Sequence, residues 1–157
     1  MTSVITTYLQ DHHAGSAAGT DAFRRVAESH GDPAVRAAVG RIADAVEADQ
    51  RALEQIMATF DTKPSLVKDL PAKAGEKVAR LKPNERLTER SPLSDVLELE
   101  ALVLAVTGKA LGWELLLQVE DRRLDHDQLA LLLERAQAQR AQLEELRLSQ
   151  AGKLLQA

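Results

Sequence analysis

The chain has 157 residues, 45% hydrophobic and 28% charged, which is ordinary for a single globular domain. The absence of cysteine excludes a disulfide framework, thiolate metal ligands and thiol catalysis. A formal net charge of −4 argues against general binding to a nucleic-acid backbone, because such binding needs a basic surface.

The amino-terminal residues 1–13 contain no Lys or Arg and few aliphatic residues, so the sequence predicts no signal peptide and a cytoplasmic protein. No apolar run approaches the roughly 20 residues of a membrane span. Aromatic residues make up only 3%, and helix-forming residues dominate the composition. We therefore expect one all-α domain over residues 1–157.

Start and stop signals divide the chain into four predicted helices. Residues 30–33, His-Gly-Asp-Pro, combine a helix-ending Gly with an Asp N-cap and a first-turn Pro, and Ser91-Pro92 offers a second such start. Asp125 followed by Gln128 resembles a capping box. The predicted helices span residues 3–29, 33–60, 92–118 and 126–150, and they form two antiparallel hairpins of a four-helix bundle.

Residues 61–91 separate the two hairpins and are too many for a simple turn. We expect this segment to cross the bundle along its length and to contain at least one short helix.

The first helix has only small residues at its central apolar positions, among them Gly15 and Gly19. Because large side chains opposite small ones fill a core, we predict that these glycines allow close approach of the Leu-rich third helix. On this interpretation, a Leu at either position overpacks the core.

Two helical hairpins joined by a long crossover resemble the ferritin-like superfamily of four-helix bundles. The stretch 91–102, Ser-Pro-Leu-Ser-Asp-Val-Leu-Glu-Leu-Glu-Ala-Leu, with the later Gly108-Lys109, is also similar to uncharacterised actinobacterial ferritin-like proteins. In metal-binding members, the resemblance implies a Glu on the first and third helices and a Glu-x-x-His on the second and fourth.

The chain departs from that ligand pattern. Glu47 is followed by Gln50 at the histidine position, and the matching residues of the fourth helix are Gln137 and Arg140. A guanidinium would repel a metal cation, so the resemblance favours a degenerate site with no metal and no other cofactor. The alternative hypothesis is an iron or manganese protein, of the di-metal oxidase or storage type, with Asp11, His12, Glu47, Asp49 and Glu100 as ligands.

Polar residues at the middle of the predicted helices favour an ion network in place of metal. Asp49 and Gln139 each interrupt an apolar stripe, and Lys109 is the one charged residue in positions 101–113. Because buried charges must be paired, we predict a structural polar network. Its members are Asp11, Asp49, Glu100, Lys109, Gln139 and Arg140.

No phosphate-binding loop or Ser-His-Asp arrangement is recognisable, which favours a non-enzymatic structural or partner-binding module. The third and fourth helices carry more leucines than one buried stripe needs, with Leu115, Leu116 and Leu117 in three consecutive directions. We therefore predict a homo-oligomer, in particular a dimer, and an unidentified protein partner rather than nucleic acid.

Overall fold

The computed structural model describes residues 3–65 and 90–156 of the chain. Within these ranges the protein has four α-helices and no β-strand: α1 (Val4–Ser29), α2 (Pro33–Thr59), α3 (Pro92–Leu116) and α4 (His126–Ser149), followed by a 3-10 helix (Ala151–Leu155). The prediction of an all-α bundle is confirmed, and the predicted helix ends differ from the observed ones by no more than two residues.

The helices begin where the sequence supplies a cap. The side chains of Asp32, Ser91 and Asp125 each accept a hydrogen bond from a backbone N–H two or three residues later. Pro33 and Pro92 occupy the first turns of α2 and α3, where no intrahelical hydrogen bond is lost. Capping of this kind typically contributes about 1 kcal/mol per helix.

The closest packing is between helices adjacent in the chain, α1 with α2 and α3 with α4. On α1, Arg24 pairs with Asp44 at 2.7 Å and His13 with Glu54 at 2.9 Å, so α1 and α2 run in opposite directions. α1 also packs against α3, and α2 against α4, less closely. The bundle is therefore tight within these pairs and looser between them.

The core contains large side chains from all four helices. Leu9, Phe23, Met57, Leu99 and Leu129 are fully or almost fully buried. Burial of such side chains contributes roughly 1.5–3 kcal/mol each and is the main stabilising term of the fold.

The crossover and the absence of a membrane span were also predicted from the sequence. The predicted short helix of the crossover falls mostly on residues 66–89, which lie outside the described residues. Among the described helices, none combines the length and apolar character that crossing a bilayer requires.

Candidate functional site

Asp49 lies at the middle of the bundle and is 1% exposed. It occupies the same buried stripe of α2 as Val46 and Leu53, so helical periodicity turns its carboxylate inward. The ammonium of Lys109 donates a hydrogen bond of 2.6 Å to Asp49 Oδ2. Gln139 Nε2 donates to the same oxygen at 3.2 Å, and Gln139 Oε1 accepts from Lys109. The network therefore joins α2, α3 and α4.

A second cation, the guanidinium of Arg135, contacts the other carboxylate oxygen of Asp49. No hydrogen bond of good geometry reaches that Oδ1 from the described residues, so this contact is a charge pair only. We call Asp49, Lys109, Arg135 and Gln139 the waist network. One anion faces two cations, which leaves a formal surplus of one positive charge.

The environment of Lys109 acts on its ionisation in two directions. Burial lowers the pKa of Lys109 below its usual value, because the charged form loses hydration. The nearby Asp49 carboxylate opposes this effect, and Arg135 adds to it. The net direction is downward, as expected for an ammonium that is largely withdrawn from water.

Three residues predicted for the network lie elsewhere. Asp11 and Arg140 are exposed, and Glu100 is half-exposed with Arg147 3.8 Å from its carboxylate. The assignment of Arg140 is wrong because the guanidinium at Asp49 belongs to Arg135, one helical turn before Gln139 on the same face of α4. A spacing of four residues could have identified Arg135 from the sequence.

Several residues of the alternative metal site are engaged by other side chains. Glu47 accepts a hydrogen bond of 2.5 Å from Arg24, and Asp49 is engaged by Lys109. His12 stacks beside Tyr8 with 4.6 Å between ring centroids, and burial lowers its pKa although Asp11 raises it. In residues 3–65 and 90–156, no group of three or more His, Asp or Glu side chains is arranged to hold a metal ion.

A cavity of about 500 Å³ adjoins the waist network between α1, α2 and α3. Gly15, Gly19 and Gly108 line it, and a Cβ atom placed on Gly15 or Gly108 would have no neighbour within 4 Å among the residues that the structure describes. At Gly19 a Cβ would make only an ordinary contact of 3.8 Å with Ala105. The predicted close packing is therefore wrong at Gly15, whereas at Gly19 the third helix comes within van der Waals contact of the missing Cβ.

The cavity wall is mainly apolar, with a few polar groups. The buried side chains that line it include Phe23, Leu53 and Trp113, and Asp49 and Lys109 contribute charged groups. The indole Nε1 of Trp113 is buried and has no hydrogen-bond partner among the described residues. A volume of this size with few polar groups is typical of sites for small molecules.

A second polar cluster lies at the end of the bundle around Asp95, which is 4% exposed. Arg90 and Lys153 both donate to its carboxylate, and the backbone N–H of Gly31 donates at 3.0 Å. We call His30, Arg90, Asp95 and Lys153 the end cluster. Burial raises the pKa of Asp95, but these donors outweigh burial and hold it at about 2.

His30 is completely buried beside Asp95. Its Nδ1 accepts from the backbone N–H of Asp32 at 3.1 Å, so Nε2 carries the proton and donates to the backbone oxygen of Asp95, also at 3.1 Å. These bonds fit the neutral imidazole. Burial lowers the pKa of His30, and this effect exceeds the opposing attraction of the Asp95 carboxylate.

Comparison with known proteins adds no identification. No family model matches the chain, and no match was found among curated proteins or among solved structures.

Proposed function

We propose that this protein is a ferritin-like helical bundle in which the waist network stands in place of a metal centre, and that it acts as a non-enzymatic structural or partner-binding module. The observation that carries this proposal is the Lys109 ammonium, 2.6 Å from the buried carboxylate of Asp49. A fixed cation there neutralises the carboxylate and repels a divalent ion, so the protein needs no metal to stabilise its centre.

The packing of the helices supports the ferritin-like part of the proposal. In that fold, the first two helices pair, the last two pair, and a crossover joins the pairs. The strongest contacts here are between α1 and α2 and between α3 and α4, and residues 60–91 separate α2 from α3. Further contacts of α1 with α3 and of α2 with α4 fit the same layout.

Metal analysis of protein purified without chelator tests the proposal. We expect iron and manganese far below one ion per chain, both as purified and after reconstitution with either ion. A stoichiometric metal content that Asp49→Asn abolishes and Arg140→Met retains would overturn the proposal. That outcome would favour the iron or manganese hypothesis, with Asp11, His12, Glu47, Asp49 and Glu100 as candidate ligands.

We further propose that the partner is a second copy of this chain, bound through the outer face of α3. Five leucines on this helix are between 49% and 71% exposed. They are separated by four or seven residues, which places them within about 40° of one another around the helix. We call them the leucine face: Leu93, Leu97, Leu104, Leu111 and Leu115. A single apolar stripe along one helix is self-complementary, as a two-fold symmetric interface requires.

Light scattering at about 100 µM chain tests the dimer. We expect twice the chain mass for the parent protein and the monomer mass for Leu104→Lys combined with Leu111→Lys. Leu131→Lys is a matched control, because Leu131 is also 67% exposed but lies on α4. A monomeric parent protein, or a leucine-face variant that remains dimeric, would contradict this part of the proposal.

A further inference from the structure

The cavity beside the waist network combines a mainly apolar wall with a few charged groups, one of which is a cation. Its approximate volume of 500 Å³ lies within the range of ligand sites, and Trp113 and Leu53 are buried in its wall. The side chain of Lys109 is 14% exposed and also lines the cavity. The cavity therefore offers both a surface for an apolar group and a cation.

The hydrogen-bonding capacity of Lys109 is not exhausted by the waist network. An ammonium has three N–H donors, and the described residues accept two of them, through Asp49 and Gln139. One N–H is thus left for an acceptor. Trp113 Nε1–H is another buried donor in the wall that has no acceptor among the residues described.

The pairing of Asp49 leaves the donors of the wall available to a ligand with an acceptor group. Asp49 lines the cavity beside Lys109, and Arg135, which does not line it, contacts the other carboxylate oxygen of Asp49. His12 lines the cavity, and because burial lowers its pKa it adds no fixed charge near neutral pH. Asp11 also lines the cavity and opposes an anion, but its side chain is exposed, so water and salt screen its repulsion.

We infer that the cavity binds a small monocarboxylate with an apolar body, whose carboxylate contacts Lys109 and whose apolar part packs against Trp113 and Leu53. The carboxylate accepts the remaining N–H of Lys109. The apolar part replaces water on a largely hydrophobic wall. This inference rests on the proposed function, because it requires Lys109, rather than a metal ion, as the cation beside Asp49.

Calorimetric titration of the full chain with octanoate and with octylamine tests the inference. The two probes have equal chain lengths and opposite charges. We expect one octanoate per chain and an affinity for octylamine at least about tenfold lower. Trp113 is the sole tryptophan, so its fluorescence should change over the same octanoate concentrations.

Variants locate the site. Gly15→Leu introduces a side chain where a Cβ has no neighbour within 4 Å, and we expect it to fill the cavity and abolish octanoate binding. Gly152→Leu is the matched control, because its position is equally open but lies in the 3-10 helix away from the cavity. Lys109→Met should weaken octanoate binding by about 10- to 100-fold, the usual range for losing a hydrogen bond to a charged group.

The outcomes separate the two proposals when the metal content of the same samples is measured. Saturable octanoate binding that is lost in Gly15→Leu and kept in Gly152→Leu supports the inference, and this pair decides the matter even if Lys109→Met fails to fold. No saturable octanoate binding by metal-free protein overturns the inference alone. Stronger binding of octylamine, or unchanged octanoate binding by Gly15→Leu, also overturns it. Stoichiometric metal would instead overturn the proposed function.

Discussion

The waist network and the end cluster are built from the same kinds of charged group, a buried carboxylate with cationic partners, in different surroundings. Asp49 and Asp95 are both buried carboxylates, and each contacts two cationic side chains. The partners of Asp49 are side chains of α3 and α4, and Asp49 and its partner Lys109 line the cavity. The partners of Asp95 include the backbone N–H of Gly31, in the turn between α1 and α2, and Lys153, in the carboxy-terminal 3-10 helix.

This comparison separates two uses of a buried ion pair. At the end of the bundle, a single carboxylate ties a turn, the start of α3 and the end of the chain together. At the waist, the Asp49 carboxylate accepts a hydrogen bond from Lys109, which lies beside the cavity. The same local chemistry is thus suited to joining segments in one region and to presenting a charge in the other. Substitutions in each region test whether the two regions differ in this way.

The largest expected effect is at the waist. Lys109→Met leaves the carboxylate of Asp49 buried with only the half-exposed Arg135 near it, and should destabilise the fold by about 3 to 5 kcal/mol. The double variant Asp49→Asn with Lys109→Met should cost much less, because no buried charge remains. Denaturant unfolding measures both. Arg140→Met, on the exposed side of α4, should change stability by less than about 0.5 kcal/mol.

This double-mutant cycle also tests whether the network exists. If the effects of the two single substitutions are small and simply add, Lys109 and Asp49 are separately solvated, and the waist network has no energetic role.

The contribution of the end cluster to the stability of the fold should depend on pH in the acid range. The pKa of Asp95 is about 2 in the folded chain against an ordinary value of 3.8, so its ionised form stabilises the fold above pH 3.8. This contribution, about 2 kcal/mol, is lost as the pH falls from about 4 through 2. Asp95→Asn should therefore be less stable at pH 7 and should lose less stability over that acid range. Thermal unfolding at a series of pH values measures the difference, and parallel curves would contradict the prediction.

His30 should make the end cluster sensitive to mild acid as well. Because burial lowers its pKa, protonation favours the unfolded chain, and its contribution to stability is full above the ordinary pKa of 6.5 and declines below it. The slope from this residue is at most about 1.4 kcal/mol per pH unit. His30→Gln should flatten the decline of melting temperature between about pH 6.5 and 5, and an unchanged slope would contradict the prediction. We expect His12, whose pKa is also lowered by burial, to contribute to the remaining slope.

Sequence patterns predicted the centre of the waist because its residues break local rules. Asp49 and Gln139 interrupt apolar stripes, and Lys109 is a lone charge in an apolar stretch, so each needed a buried partner. Arg135 was missed because arginine on a helix is usually solvent-facing, and Arg140 lay closer to the matched positions of the two hairpins.

The end cluster could not be predicted in the same way. In the sequence, Asp95 is an ordinary acid in the first turn of a helix. A negative charge there interacts favourably with the positive end of the helix dipole. Its partners Gly31 and Lys153 lie 64 and 58 residues away, so only the tertiary fold brings them together. The cavity was misjudged for a related reason: a run of small residues such as Gly15 and Gly19 is compatible with both close packing and open space.

The smallest expected effect comes from adding one methyl group beside each region. Gly15 is helical and has open space beyond its Cα, so Gly15→Ala should stabilise the fold by about 0.5–1 kcal/mol through reduced backbone freedom in the unfolded chain. At Gly31, a Cβ would lie 2.5 Å from Asp95 Oδ2, which is held by Lys153 and cannot move freely. Gly31→Ala should therefore destabilise by about 1 kcal/mol. Denaturant unfolding of the two variants should give shifts of opposite sign. A loss of stability in Gly15→Ala would mean that α1 packs closely there after all, and the cavity would then lack the space that a ligand needs.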